Sequence, residues 1–185
     1  CSKKSKVKKD RISKIMYSNN AVLDSLDEKR MNDKIKKIKG YTKWAIIFDE
    51  FCKPMKKEQL YDYDEQGMYD CLDEEDDSSL IDSFDNNSYM MNGIYGGVTL
   101  VDYFENIFFN KVKEKNFNNE FYDLMTMMEP LFLGLKVMGE KGIVHNDIKY
   151  NNIVMHQGKF KYIDFGLSEL TSNKKHFKQR SLDEL

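Results

Sequence analysis

The chain has 185 residues, 41% of them apolar and 32% charged, with 2 Pro, 10 Gly and a net charge of −2. That length fits one domain or part of a larger one, and the composition excludes collagen-like, low-complexity and wholly disordered chains. The longest apolar runs, Trp44 to Phe48 and Leu131 to Leu135, fall far short of the ~20 residues that a membrane-spanning helix needs.

Residues 1–43 hold 14 Lys and Arg against 5 Asp and Glu, a net of +9. The first apolar residue, Val7, stands among lysines, which leaves no signal-peptide core. Without secretory entry the terminal Leu-Asp-Glu-Leu carries no retention message. Cys1, Cys52 and Cys71 offer neither a C-x-x-C pair nor an even count for a disulfide framework, so an intracellular, cytoplasmic setting is expected.

Arg11 to Met16 alternates partly and reads as a strand. Ser25 to Lys39 reads as a helix packed by one face, with Leu26, Met31, Ile35 and Ile38 as its apolar stripe. The lysines of this basic head are not interleaved with aromatics, which argues against a nucleic-acid partner. Trp44 to Phe48 is a second candidate strand. From Leu60 to Asn110 there is no basic residue, and Asp62 to Asp85 carries 11 acids. Such a block repels itself and holds little apolar surface, so residues 60–87 are expected to be a solvated, disordered insertion.

Tyr89 to Tyr95 is a third candidate strand. After Gly96-Gly97 the spacing turns helical, with Thr99 as N-cap, Asp102 at the third helical position, and Leu100, Tyr103, Phe104, Ile107 and Phe108 along one side. That capping role accounts for Asp102 without a ligand. A longer helix is predicted from Phe121 to Lys141 with Leu124, Met128, Leu131, Leu135 and Met138 as its core face; Pro130 either kinks or starts it. Its methionines read as core filler. From Gly142 onward come short strands: Ile143-Val144, then Ile153 to His156 and Phe160 to Ile163 about a Gln157-Gly158 turn. Segregated strands and helices indicate an α+β chain.

Between Ile143 and the hairpin lies His145-Asn146-Asp147-Ile148-Lys149-Tyr150-Asn151-Asn152, and the hairpin runs into Asp164-Phe165-Gly166. This donor set suits divalent-metal phosphoryl transfer. Magnesium takes one or two protein oxygens plus phosphate oxygens, which Asn152 and Asp164 supply from the two ends of one hairpin. Asp147 can orient an attacking hydroxyl, and Lys149 can balance charge on the transferring group. His145 reads as a hydrogen-bonding residue that shapes the loop, and His156 and His176 as solvated.

The two motifs resemble the H-R-D-L-x-x-x-N and D-F-G signatures of eukaryotic-type protein kinases, in the family's order and joined by a strand-turn-strand. The resemblance implies a partial N-lobe over residues 1–91, then hinge and the first part of a mainly helical C-lobe over 92–185. It implies Asp147 as catalytic base, Asn152 as second-metal ligand, Asp164 as principal Mg2+ ligand, and Lys149 as the lysine that marks serine/threonine kinases. Met90 to Gly97 resembles the hinge, with Met91 as gatekeeper and the backbone of Asn92 and Ile94 on adenine. Ile12-Ser13-Lys14-Ile15 is similar to the strand bearing the phosphate-pairing lysine, Lys14, and Glu28 matches its helix partner. ATP, Mg2+ and a protein substrate are the implied ligands.

No glycine precedes Gly40, and no A-P-E segment follows the Asp-Phe-Gly triplet. The chain therefore resembles an internal part of a kinase domain, inactive by itself. Val-His-Asn-Asp-Ile-Lys-Tyr-Asn-Asn and Phe51-Cys52-Lys53-Pro54 are most similar to kinases of large DNA viruses. Two other readings stay open: a catalytically dead kinase-like binding module, and a small-molecule kinase of the aminoglycoside or choline type.

Overall fold

The computed structural model describes residues 10–17, 20–54, 56, 58–59, 62, 88–114 and 117–171. The basic residues 1–9, the expected acidic insertion from 63 to 87, and His176 lie outside the described residues. The chain divides into two units, one of Cys1–Arg30 with Phe48–Tyr95, the other of Met31–Ile47 with Gly96–Leu185. Residues 31–47 cluster with the second unit, as does the chain from Gly96 onward.

The first unit is built on β1 (Arg11–Tyr17), β2 (Phe48–Cys52) and β3 (Ser88–Ile94), in the order β1-β3-β2 and antiparallel throughout. The register sets Lys14 opposite Met91 and Ser13 opposite Asn92. The second strand begins at Phe48 and not at Trp44. Trp44, Ala45 and Ile47 are buried in the core of the second unit, so that apolar run serves packing and not a ladder; Ala45 makes only a single parallel bridge, to Tyr162. Cys52 is disulfide-bonded, which three widely separated thiols did not suggest.

The helix α1 runs Ala21–Lys36, starting four residues before the expected Ser25. Its buried positions are Ala21, Ser25, Glu28, Met31, Asn32 and Ile35, whereas Leu26 is exposed. The period is helical but half of the face is polar, which is why apolar spacing alone misplaced it. Ser25 donates its hydroxyl back to the Ala21 carbonyl, so its burial leaves no lost hydrogen bond.

In the second unit Thr99 caps α2 (Leu100–Tyr103): its Oγ1 accepts from the Asp102 N–H at 3.2 Å, and the Asp102 carboxylate accepts from the Thr99 N–H in return. A π turn, Phe104–Phe108, then leads into α3 (Phe109–Glu114). The wide turn lets Tyr103 and Phe108, five residues apart, both face inward. The long helix α4 runs Phe117–Glu140 with Pro130 inside it. Proline has no N–H for the carbonyl four residues back. That carbonyl, of Thr126, accepts instead from Lys159 Nζ at 2.7 Å.

Leu124, Leu131 and Met138 of α4 are buried as expected, but Leu135 is exposed and Gly134 takes the inner position against Trp44 and Tyr162. The helix packs on the hairpin of β5 (Ile153–His156) and β6 (Lys159–Tyr162). Phe160 and Tyr162 point into the core while Lys159 and Lys161 alternate outward, as the period of two requires. Two-residue strands β4 (Ile143–Val144) and β7 (Glu169–Leu170) pair antiparallel and close the loop that carries the motif residues.

Candidate active site

The loop from His145 to Asn152 closes on itself through Asp147. The Asn152 side-chain amide donates to the Asp147 carboxylate at 2.7 Å and to the Asp147 backbone carbonyl at 3.0 Å. Lys149 Nζ lies 3.0 Å from the same carboxylate oxygen, Oδ2. The Lys149 ammonium therefore holds the Asp147 carboxyl below the usual carboxylate range, with the Asn152 amide adding to the effect. Asp147 is ionised at neutral pH and fixed in direction.

The hairpin brings Asp164 to the same end. Ile153 pairs with Tyr162, and the Ile163 N–H donates to the Asn152 carbonyl at 3.0 Å, so Asp164 follows directly beside Asn152. Asp164 has φ 58°, a left-handed backbone that a non-glycine residue adopts only at a cost. Its Oδ1 accepts from the Gly166 N–H at 3.4 Å, a local turn that offsets part of that cost.

His145 is buried against Phe165, with ring centroids 4.6 Å apart, and its Nε2 lies 3.0 Å from the Ile163 carbonyl. The Asp147 N–H approaches Nδ1 at 3.4 Å. One nitrogen donates and the other accepts, which describes a neutral imidazole, and burial pushes its pKa below the ordinary value in the same sense.

Three further contacts tie the loop to the segment after Phe165. Ser168 Oγ donates to the His145 carbonyl at 3.1 Å, Asn146 Nδ2 donates to the Leu167 carbonyl at 3.1 Å, and the Thr171 N–H donates to the Gly142 carbonyl at 2.8 Å. Sequence reasoning did not anticipate these contacts of Asn146 and Ser168. The signal for Asn146 was its residue type, since its φ of 62° is one that asparagine tolerates better than most.

In the first unit Lys14 Nζ lies 3.2 Å from Glu28 Oε2, the Glu28 side chain being 1% exposed and that of Lys14 34%. Met91 is fully buried in β3. Asn92 accepts from Ser13 Oγ at 2.6 Å. β2 pairs with β3 only as far as Gly93, so Ile94 is unpaired on that edge among the described residues.

The protein kinase domain family matches residues 51–184, well over half of the sequence. The chain belongs to that family. Lys14 and Glu28 precede the matched residues, whereas every member of the Asp147 and Asp164 cluster falls within them. The kinase fold is also similar to a chain in the crystal structure of the yeast RNA Pol II CTD kinase CTDK-1 complex. The TM-score is 0.54 at 16% identity, covering 88% of this chain and 40% of that one. This kinase chain thus spans well under half the length of that solved chain, and at such identity the likeness speaks for fold alone. A search of curated proteins returned no match.

Kinase domains use ATP and Mg2+, and the residues present fit that ion. The Asn152 amide nitrogen is engaged by Asp147, which leaves its carbonyl oxygen, and Asp164, one residue beyond the Ile163 N–H that donates to the Asn152 backbone carbonyl, adds a carboxylate. Both are hard oxygen donors. Among the described residues no three His, Cys, Asp or Glu side chains form a self-sufficient metal cage. Two protein oxygens suit an ion that completes its shell with phosphate oxygens and water.

Proposed function

We propose that the protein carrying this chain is a serine/threonine protein kinase that transfers the ATP γ-phosphoryl group to protein hydroxyls. The observation that carries the reading is the closed cluster about Asp147, with Asn152 at 2.7 Å and Lys149 at 3.0 Å, next to Asp164 across one hairpin. Asp147 receives the substrate hydroxyl by accepting its hydrogen bond. With its pKa held down it is a weak proton sink in the ground state, so it orients the oxygen and takes the proton only as the bond to phosphorus forms. Lys149, an exposed ammonium paired with Asp147, would balance negative charge on the transferring group and underlie the serine/threonine preference.

Asn152 and Asp164 would hold Mg2+, which would neutralise charge on the phosphate oxygens. Lys14, braced by buried Glu28, would pair with phosphate oxygens. Met91 would border the adenine, and the edge at Ile94 would supply its backbone hydrogen bonds; Asn92, expected to share that task, is instead paired in the sheet with both Ser13 and Glu50. An intracellular setting rests on the need for ATP and not on the cysteines, since Cys52 is disulfide-bonded, and the motif wording supports a viral source.

The test separates the roles. Asp147→Asn should lower kcat on the order of 10²-fold or more while Mg-ATP affinity is kept, because it removes a group that acts on the hydroxyl. Asp164→Asn should instead weaken Mg-ATP binding about tenfold or more. Full phosphoryl transfer to a protein substrate by Asp147→Asn would sink the assignment.

A further inference from the structure

The face of the second unit formed by α4, the β5–β6 hairpin and the turn at Tyr41–Lys43 holds a cleft of about 440 Å³. None of Asp147, Lys149, Asn152 or Asp164 lines it. Lys159 and Lys161 enter from the outward side of β6. Lys43 joins them because the Tyr162 N–H donates to the Trp44 carbonyl and the Ile46 N–H to the Tyr162 carbonyl, both at 2.9 Å. Pro130 and Leu133 of α4 give the cleft an apolar wall.

Its charges are out of balance. Among the described residues Glu129 is the only acid in the lining; it is well exposed and stands 3.8 Å from Lys159. Lys159 is held in place by the Thr126 carbonyl that Pro130 frees. The side chains of Lys43 and Lys161 have no hydrogen bond or ion pair among the described residues. Lys161 is half-buried, and burial alone pushes its pKa down. A carboxylate beside it would supply the missing counter-charge.

We propose that this cleft is a docking seat for an acidic protein segment, with an aliphatic side chain against Pro130 and Leu133 and carboxylates against Lys43, Lys159 and Lys161. The lining favours a peptide over nucleic acid. Among the described lining residues His156 is the single ring on which a base could stack, with no Phe, Tyr or Trp beside it, and the apolar wall would be wasted on phosphates. Docking here would recruit a partner without occupying the residues placed at the phosphoryl-transfer cluster.

The probe is a fluorescein-labelled peptide of glutamates flanking two leucines, titrated with the whole chain and followed by anisotropy. Saturable binding is expected, weakened about tenfold by Lys161→Glu and again by Lys43→Glu, and about tenfold when the leucines are replaced by serine. Lys43 is exposed, so Lys43→Glu keeps the fold and remains decisive if Lys161→Glu does not. Asp147→Asn should bind the peptide like the parent, which separates this seat from the kinase reading. Equal affinity for Lys43→Glu and parent, indifference to the leucines, or no saturation would overturn the proposal. Tighter binding of an oligonucleotide, lost in the same lysine variants, would overturn it in favour of a nucleic-acid surface.

Discussion

Asp147 and His145 are two titratable groups on one short loop that their surroundings push in opposite functional directions. Asp147 is kept charged by Lys149 and Asn152; His145 is kept neutral by burial beneath Phe165. The imidazole has a consequence for stability. Its folded pKa lies below the ordinary 6.5, so as pH falls below that value the unfolded chain binds the proton more readily than the fold. Stability is therefore full above about pH 6.5 and should decline on acidification below it. His145→Gln should flatten that slope in chemical denaturation curves while lowering stability at neutral pH, where the contact to the Ile163 carbonyl is lost. An unchanged slope in the variant would show that the imidazole is not the group responsible.

At the scale of the elements, β5 and the chain entering α2 are bound by close backbone approach. Gly97 has φ 91°, and a Cβ there would sit 2.3 Å from the Met155 carbonyl oxygen. The Met155 N–H donates to the Val98 carbonyl at 2.8 Å beside it, so the hairpin has no room to retreat. Gly97→Ala combines left-handed strain with that clash and should cost about 2 kcal/mol or more in equilibrium unfolding. Gly158→Ala is the comparison: its φ of 73° is also left-handed, but nothing stands within 4 Å of the added carbon. It should cost about 1 kcal/mol, from the left-handed backbone alone. Equal losses in the two variants would mean that the approach to Met155 carries no weight.

For the molecule as a whole, the apolar surface left in water differs from the one that periodicity indicated. Leu124, Leu131 and Met138 are inside the core of the second unit, and the exposed side of α4 is Phe117, Phe121, Met125, Phe132 and Leu135. Phe117 and Phe121 stack with ring centroids 5.8 Å apart. A contiguous stripe of this kind promotes association. The 185-residue chain should scatter light as a self-associated species, and Phe121→Glu with Phe132→Glu should shift it toward the monomer. A parent chain that is already monomeric at micromolar concentration would contradict this.

The motif that marks the family was legible because it is local. Asp147, Asn152 and Asp164 lie within one loop and one hairpin, so their spacing alone implied their meeting, and the α+β class followed from patterns of period two and 3.6. The Thr99 and Asp102 cap was legible for the same reason. Interactions that span the chain, or faces that are not apolar, required the tertiary structure. The polar buried face of α1, the loss of Trp44 to Ile47 from the sheet to the core, and Gly134 in place of Leu135 at the inner face of α4 each depend on what packs opposite, which no local pattern encodes. The lysine cleft is the clearest instance. Lys43 and Lys161 stand 118 positions apart in sequence, and only the bridge between Trp44 and Tyr162, together with the carbonyl that Pro130 frees for Lys159, sets three like charges around one apolar wall.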